Sequence, residues 1–356
     1  MTVRFILSID GGGIRGLIPA LVVADLAKRL KALPMHKAFD LIAGTSTGGI
    51  IAAGLTCPHP SGSGNAACAP GDIVDLYAKQ GKDIFGSTLL SKIINVGGLA
   101  EERYDATPLE TKLQAQLGIN EIAAGLTKVL ITAYDIKARQ ALIMSNSDDE
   151  NSHFRYWQAA RASSAAPSYF EPALIENFGK PANDPDRFVP LVDGGVFAND
   201  PVLPAYVEAS KMGWLKGRDS VVILSLGTGQ QNRPIPYQQA KNWGALGWIN
   251  PSNGTPLISI LMQGQVSTSA YEANSLFNPA KTKMVDGSTQ VTPANVDKLA
   301  YFRIDGALIG ANDEMDDASD GNITALTNVA NQLIARNDAA LAEVAKRILA
   351  IKGAGP

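Results

Sequence analysis

Two short glycine-rich segments, each set between an apolar run and a helix-forming run, restrict this chain more than any other feature. Ile9-Asp10-Gly11-Gly12-Gly13-Ile14-Arg15-Gly16 follows the apolar run Val3–Ile9, and Gly44-Thr45-Ser46-Thr47-Gly48 follows another over residues 39–43. A strand that turns sharply into a helix through glycines, twice near the start of the chain, belongs to an α/β fold. The rest of the sequence keeps that rhythm. Helices are expected over residues 17–33, 47–55, 72–84, 108–117, 154–165, 201–212, 257–276, 323–335 and 339–350. Strands are expected over 129–136 and 141–145, paired as a hairpin, and over 189–192, 221–226 and 299–304. Pro19 falls in the first turn of its helix, where a missing N–H does no harm. Thr107-Pro108-Leu109-Glu110 reads as a capping box opening the helix at Pro108.

The expected architecture is α/β, with a mainly parallel central sheet and helices on both faces, in one domain over residues 1–356. Two departures are expected. One is a loop at about 57–71 that holds both cysteines, Cys57 and Cys68; the other is a surface excursion at about 230–255, rich in Pro, Gly, Asn and Trp. The two thiols are open to a disulfide or to a reduced pair. Their spacing with His59 does not suit zinc.

Composition excludes several classes. A formal net charge of -3, with no basic run, argues against nucleic acid as a partner. No apolar run approaches the roughly 18 residues of a membrane-spanning helix. The apolar start of the chain is too short for a signal peptide and runs straight into the glycine loop. The expected location is the cytoplasm or the surface of a membrane, with export only if a leader was removed; oligomeric state stays open.

The chemistry concentrates at the two glycine segments. G-x-S-x-G is the strand-to-helix turn that raises a serine hydroxyl as a nucleophile, and Gly44 and Gly48 flank Ser46 as that turn demands. The run Gly11, Gly12, Gly13 offers consecutive backbone N–H groups at the start of a helix, which suits an oxyanion. Arg15 is placed to anchor that loop. The loop also matches G-x-G-x-x-G, but a dinucleotide site needs an acidic residue at the end of the second strand, and Gly44-Thr45-Ser46 occupies that place. None of the chain's 3 histidines, His36, His59 and His153, falls after a late strand where a triad histidine belongs; all read as solvated residues. Asp193 follows the apolar run at 189–192 and precedes Gly194 and Gly195, so it emerges at a strand's C-terminal end, where sites form in open α/β sheets. It is a candidate base for Ser46, although an aspartate at its ordinary pKa of about 3.9 must first be desolvated. The alternative is a turn aspartate that caps its own backbone.

In order, Asp10-Gly11-Gly12-Gly13-Ile14-Arg15-Gly16, Gly44-Thr45-Ser46-Thr47-Gly48 and Asp193-Gly194-Gly195 resemble the motifs of the patatin-like phospholipases. Three further segments resemble the same family: residues 162–170, Ser225-Leu226-Gly227-Thr228-Gly229, and Met315-Asp316-Asp317-Ala318-Ser319. The resemblance runs over nearly the whole chain. It implies a Ser46–Asp193 dyad without histidine, an oxyanion hole from Gly11–Gly13 through the Gly12 and Gly13 N–H groups, and hydrolysis of the acyl esters of membrane or micellar lipid bound peripherally. It implies no metal and no cofactor. Apolar stretches at residues 89–96 and at Trp243, Leu246, Trp248 and Ile249 are candidates for contact with acyl chains or a membrane. The rival expectations are a non-catalytic storage or binding protein, a water-soluble carboxylesterase and a nucleotide-binding oxidoreductase.

Overall fold

A computed structural model describes residues 2–31, 33–85, 105–167, 169–217, 219–231, 233–250, 253, 255–278 and 282–353. In chain order its elements begin with β1 (Val3–Ile9), a 3-10 turn at Gly13–Gly16, α1 (Leu17–Arg29), α2 (Met35–Ala38), β2 (Leu41–Thr45) and α3 (Thr47–Thr56). Next come α4 (Pro70–Phe85), α5 (Thr107–Leu117), β3 (Lys128–Asp135), β4 (Gln140–Ser145), α6 (Tyr156–Ser163), β5 (Ala173–Glu176) and β6 (Phe188–Asp193). The second half holds α7 (Gly195–Ala198), α8 (Val202–Lys211), β7 (Ser220–Leu226), α9 (Tyr237–Ala240), α10 (Ala245–Ile249) and α11 (Pro256–Phe277). It closes with the short hairpin β8 (Met284–Val285) and β9 (Ser288–Thr289), then β10 (Tyr301–Ile304), α12 (Asp320–Arg336) and α13 (Asp338–Lys352).

The sheet is mixed and mainly parallel. β10, β7, β1, β2 and β3 run side by side in one direction. β4 and β6 run antiparallel to β3, and β5 antiparallel to β6. The register fixes where they lie. β4 pairs with β3 over Leu130–Asp135 and so fills one flank of that strand. β2 pairs with residues 128–132 and β6 with residues 133–135, so these two share the other flank, end to end.

The parallel strands are buried on both sides, which is why they read as continuous apolar runs rather than alternating ones. On one face Phe5, Leu7, Ile9, Val129 and Ile131 pack with α1, α3, α12 and α13. On the other, Ile6, Leu41, Ala43 and Ile223 pack against Val202, Ala205 and Ala209 of α8 and Ala273 of α11. Fully burying side chains such as Leu326, Val329 and Leu333, spaced at 3 and 4 along α12, contributes about 1.5–3 kcal/mol each.

Several sequence expectations shift. The first helix stops at Arg29, and the second strand starts at Leu41 because the Asp40 carboxylate is taken by the Phe5 N–H and by Arg4 and Lys352. The capping box does not form. Thr107 lies inside α5, Ala106 is its N-cap without a side-chain bond, Asp105 accepts the Thr107 N–H, and Glu110 turns instead to Arg161. Cys57 and Cys68 are free and buried, and burial pushes both thiols up to about 12. Residues 89–96 lie outside the described residues.

Candidate active site

Ser46 stands between β2 and α3 with φ 56° and ψ −123°, a conformation that a side chain rarely adopts and that costs on the order of 1–3 kcal/mol. Its surroundings impose it. Ser163 Oγ accepts the Ser46 N–H at 2.7 Å, and Thr45 Oγ1 donates to the Ala198 carbonyl at 2.6 Å while lying 2.7 Å from Thr132 Oγ1. Gly48 packs so tightly against β1 that a Cβ would collide with the Ile9 carbonyl, and one at Gly44 would strike the Gly48 carbonyl. The glycines on either side of Ser46 are therefore required by space.

Asp193 reaches Ser46 by a route that differs from the sequence expectation. It ends β6, which runs against β3 rather than with the parallel strands. Because β2 and β6 share one flank of β3, their C-terminal ends meet head-on: Thr45 lies opposite Thr132, and Asp193 opposite Ala133. Ser46 Oγ donates to Asp193 Oδ2 at 2.7 Å, and the Gly195 N–H donates to Oδ1 at 2.6 Å. Gly194 follows so closely on Thr132 that no Cβ would fit. The carboxyl is 2% exposed. Burial pushes it up to about 7, against the stabilising bonds from Ser46 and Gly195. It is thus held where a proton moves readily near neutral pH.

The glycine loop runs beside this pair. Gly11 contributes no free N–H, because it donates to the Asn199 carbonyl at 3.0 Å; a Cβ there would collide with Asn199 Oδ1 and stand 3.0 Å from Ser46 Cβ. Of the three glycines named from the sequence, Gly12 and Gly13 keep N–H groups without a protein acceptor among the described residues. Arg15 is buried, and its Nε donates to the Gly12 carbonyl at 3.2 Å and its Nη1 to the Gly229 carbonyl at 3.4 Å. Burial lowers the Arg15 pKa, opposed by Asp313 and Asp305. The three histidines play no part in lining the cavity at Ser46, and His36 is buried rather than solvated.

The sequence reading missed the polar core behind the loop. Arg303 of β10 binds Asp10 through both nitrogens (2.6 and 2.8 Å), Asp305 at 3.1 Å, Asp200 at 3.4 Å and Ser225 Oγ at 2.8 Å. All four charged side chains are at most 2% exposed. Burial raises Asp10 and Asp200, with Arg303 opposing; burial would lower Arg303, but the three carboxylates outweigh it and hold its charge more firmly than usual. An arginine inside the apolar stretch 299–304 was the one available signal, since a buried guanidinium needs carboxylates.

Ser46 opens on a small cavity of about 30 Å³ lined by Gly13, Ser164, Tyr169, Phe170 and Met315. A larger cleft of about 160 Å³ adjoins it, sharing Tyr169, Met315 and Asp316 and continuing past Asn199 to the start of α11. The expected excursion contributes Gln231, Arg233, Ile235 and Asn253 to this cleft and carries α9 and α10. Trp243 and Trp248 stack edge-to-face, with ring centres 5.1 Å apart, while Leu246, Ile249, Leu257, Ile260 and Leu261 are exposed. Lys241 is the only charged residue from position 234 to 271.

A family model for patatin-like phospholipases matches residues 7–206. Patatin-like protein 1 of Arabidopsis thaliana is 32% identical over 355 residues, covering 92% of this chain and 81% of that protein. Patatin-like protein 1 of Oryza sativa subsp. indica is 30% identical over 372 residues, covering 98% and 86%. Patatin-2-Kuras 3 of Solanum tuberosum is 30% identical over 354 residues, covering 92% and 83%.

Proposed function

Since the chain belongs to the patatin-like phospholipase family, we propose that it is a lipid acyl hydrolase that cleaves fatty-acyl esters with Ser46 and Asp193. The observation that carries this reading is the 2.7 Å contact from Ser46 Oγ to a buried Asp193 carboxyl that titrates at about 7. With Asp193 ionised, the Ser46 proton passes to Oδ2 as Oγ attacks the ester carbonyl. The oxyanion then takes hydrogen bonds from the Gly12 and Gly13 N–H groups. A donor of this kind is worth about 2.7–4 kcal/mol in a hydrolase where one was removed. Asp193 returns the proton to the leaving alcohol and next deprotonates the water that releases the acyl group from Ser46. The Gly195 N–H, on the other carboxylate oxygen, keeps Oδ2 turned to the serine throughout.

The uncharged, partly exposed surface of α10 and the first turns of α11 supports action at a lipid interface. The test is release of fatty acid from a panel of phospholipids, galactolipids and acylglycerols by wild type and by Ser46→Ala, read by mass spectrometry. Wild type should release acid, with a rate that rises sharply above the critical micelle concentration of a short-chain lipid, and Ser46→Ala should release none. Equal release by both would remove Ser46 from the chemistry. Release without an interfacial rise would favour a water-soluble carboxylesterase.

A further inference from the structure

Ester hydrolysis consumes a water as well as an ester, and water brings two O–H groups where an alcohol brings one. That difference bears on Asn199, the residue after α7. Asn199 is 4% exposed and lines the cleft that adjoins the Ser46 cavity. Its backbone is fixed on both sides: the carbonyl accepts the Gly11 N–H at 3.0 Å, and the N–H donates to Gln265 Oε1 at 3.2 Å. The side-chain amide is oriented by its own nitrogen, since Nδ2 donates to the Gly11 carbonyl at 3.4 Å. Oδ1 is left buried without a hydrogen-bond partner among the described residues. An acceptor held so is costly in a fold, and the cost is removed when a donor comes to it.

Two glycines show what that oxygen borders. A Cβ built on Gly11 would collide with Oδ1 and stand 3.0 Å from Ser46 Cβ, and one built on Gly195 would stand 3.0 Å from both Oδ1 and Asp193 Oδ1. We propose that Asn199 Oδ1 holds the water that frees the acyl group from Ser46, by accepting the O–H that Asp193 does not take. The inference rests on the hydrolase reading of Ser46 and Asp193. In this step the water oxygen bonds to the acyl carbon, one of its protons passes to Asp193 Oδ2, and the other stays on that oxygen, hydrogen-bonded to Asn199 Oδ1. When the bond from the acyl carbon to Ser46 Oγ breaks, Asp193 returns its proton to Oγ, and the acyl group leaves as the acid with the second proton. An alcohol in the same place gives its single O–H to Asp193 and has none for Asn199. Asn199 thus serves hydrolysis and not acyl transfer to an alcohol.

The test sets water against methanol as acceptor of the acyl group from a short-chain nitrophenyl ester, with free acid and methyl ester quantified by mass spectrometry. Asn199→Ala should raise the ratio of methyl ester to acid about tenfold over wild type, the worth of one hydrogen bond between neutral groups. A change that only loosened the glycine loop would slow both products alike, so an unmoved ratio would overturn the proposal. Asn199→Ser, too short to place an oxygen where Oδ1 stands, should repeat the shift, and it decides the matter if the alanine variant does not fold. Loss of folding in both variants would make Asn199 part of the scaffold and overturn the proposal as well. Ser46-dependent release with an unmoved ratio would leave the hydrolase standing and remove only the water site. No release by wild type, or equal release by Ser46→Ala, would defeat both.

Discussion

Two groups of buried carboxylates meet at one edge of the sheet and are held in opposite ways. Asp10, Asp200 and Asp305 surround Arg303, whereas Asp193 has a hydroxyl and one backbone N–H as its partners among the described residues. Burial acts on both groups and raises Asp10, Asp200 and Asp193 alike. The difference is the cation. Around a guanidinium, carboxylates become a fixed anchor that ties the glycine loop to β10; without one, a carboxyl is left ready to exchange its proton. The same desolvation therefore accompanies scaffold in one place and the proposed base in the other.

The change that tests this contrast most severely is Asp193→Asn. It should lower kcat about 10²–10⁴-fold, the range for a general base, and wild-type kcat/KM should rise with pH through about 7 as the carboxyl ionises. The same variant should be the more stable protein at pH 8. A carboxyl that titrates at about 7 when folded and about 3.9 when unfolded favours the fold below pH 4, and that advantage is lost as pH rises through 7. The cost of ionising it in place is on the order of 4 kcal/mol at pH 8, so the melting difference between Asn and Asp should shrink on acidification toward pH 4. Undiminished turnover, or a melting difference that ignores pH, would place Asp193 with the scaffold.

Arg303→Met attacks the other half. It strands three buried carboxylates and should destabilise the protein by about 3–5 kcal/mol in urea unfolding, most at high pH, where Asp10 and Asp200, both raised by burial, must ionise. Stability equal to wild type would show that the anchor does not depend on its cation. The smallest effect is expected from Ser163→Ala, which removes the acceptor of the Ser46 N–H. A loss of about 1–3 kcal/mol in stability and roughly tenfold in kcat should leave the pH midpoint unmoved. A shifted midpoint would mean that Ser163 acts on Asp193 and not on the elbow alone.

The poised half of the site was far more legible in the sequence than the anchored half. Gly44, Gly48, Gly194 and the loop from Gly11 to Gly13 declare themselves because their constraint is local: backbone or a neighbouring side chain lies where a Cβ would go. Arg303 and Asp10 are 293 residues apart, and no local pattern joins them. The direction of β6 was equally hidden. An apolar run followed by Asp-Gly-Gly looks the same whether the strand runs with its neighbours or against them, and β5, a four-residue strand, carries too little pattern to reveal the reversal. At residues 105–110 local chemistry misled, because the Asp105 carboxylate took the Thr107 N–H that the Glu110 side chain was expected to accept.

The head-on meeting of β2 and β6 makes β3 a gauge. Ser46 and Asp193 arrive from opposite directions, and the gap between their strands is a single step along one shared neighbour, from Thr132 to Ala133, or about 3.3 Å. Neither arriving strand can slide without breaking its own ladder, so the reach of the proton is written into the residue count of a strand that carries neither group. A one-residue bulge at that step would leave both strands paired and the sheet intact, and would still carry the hydroxyl and the carboxylate out of contact.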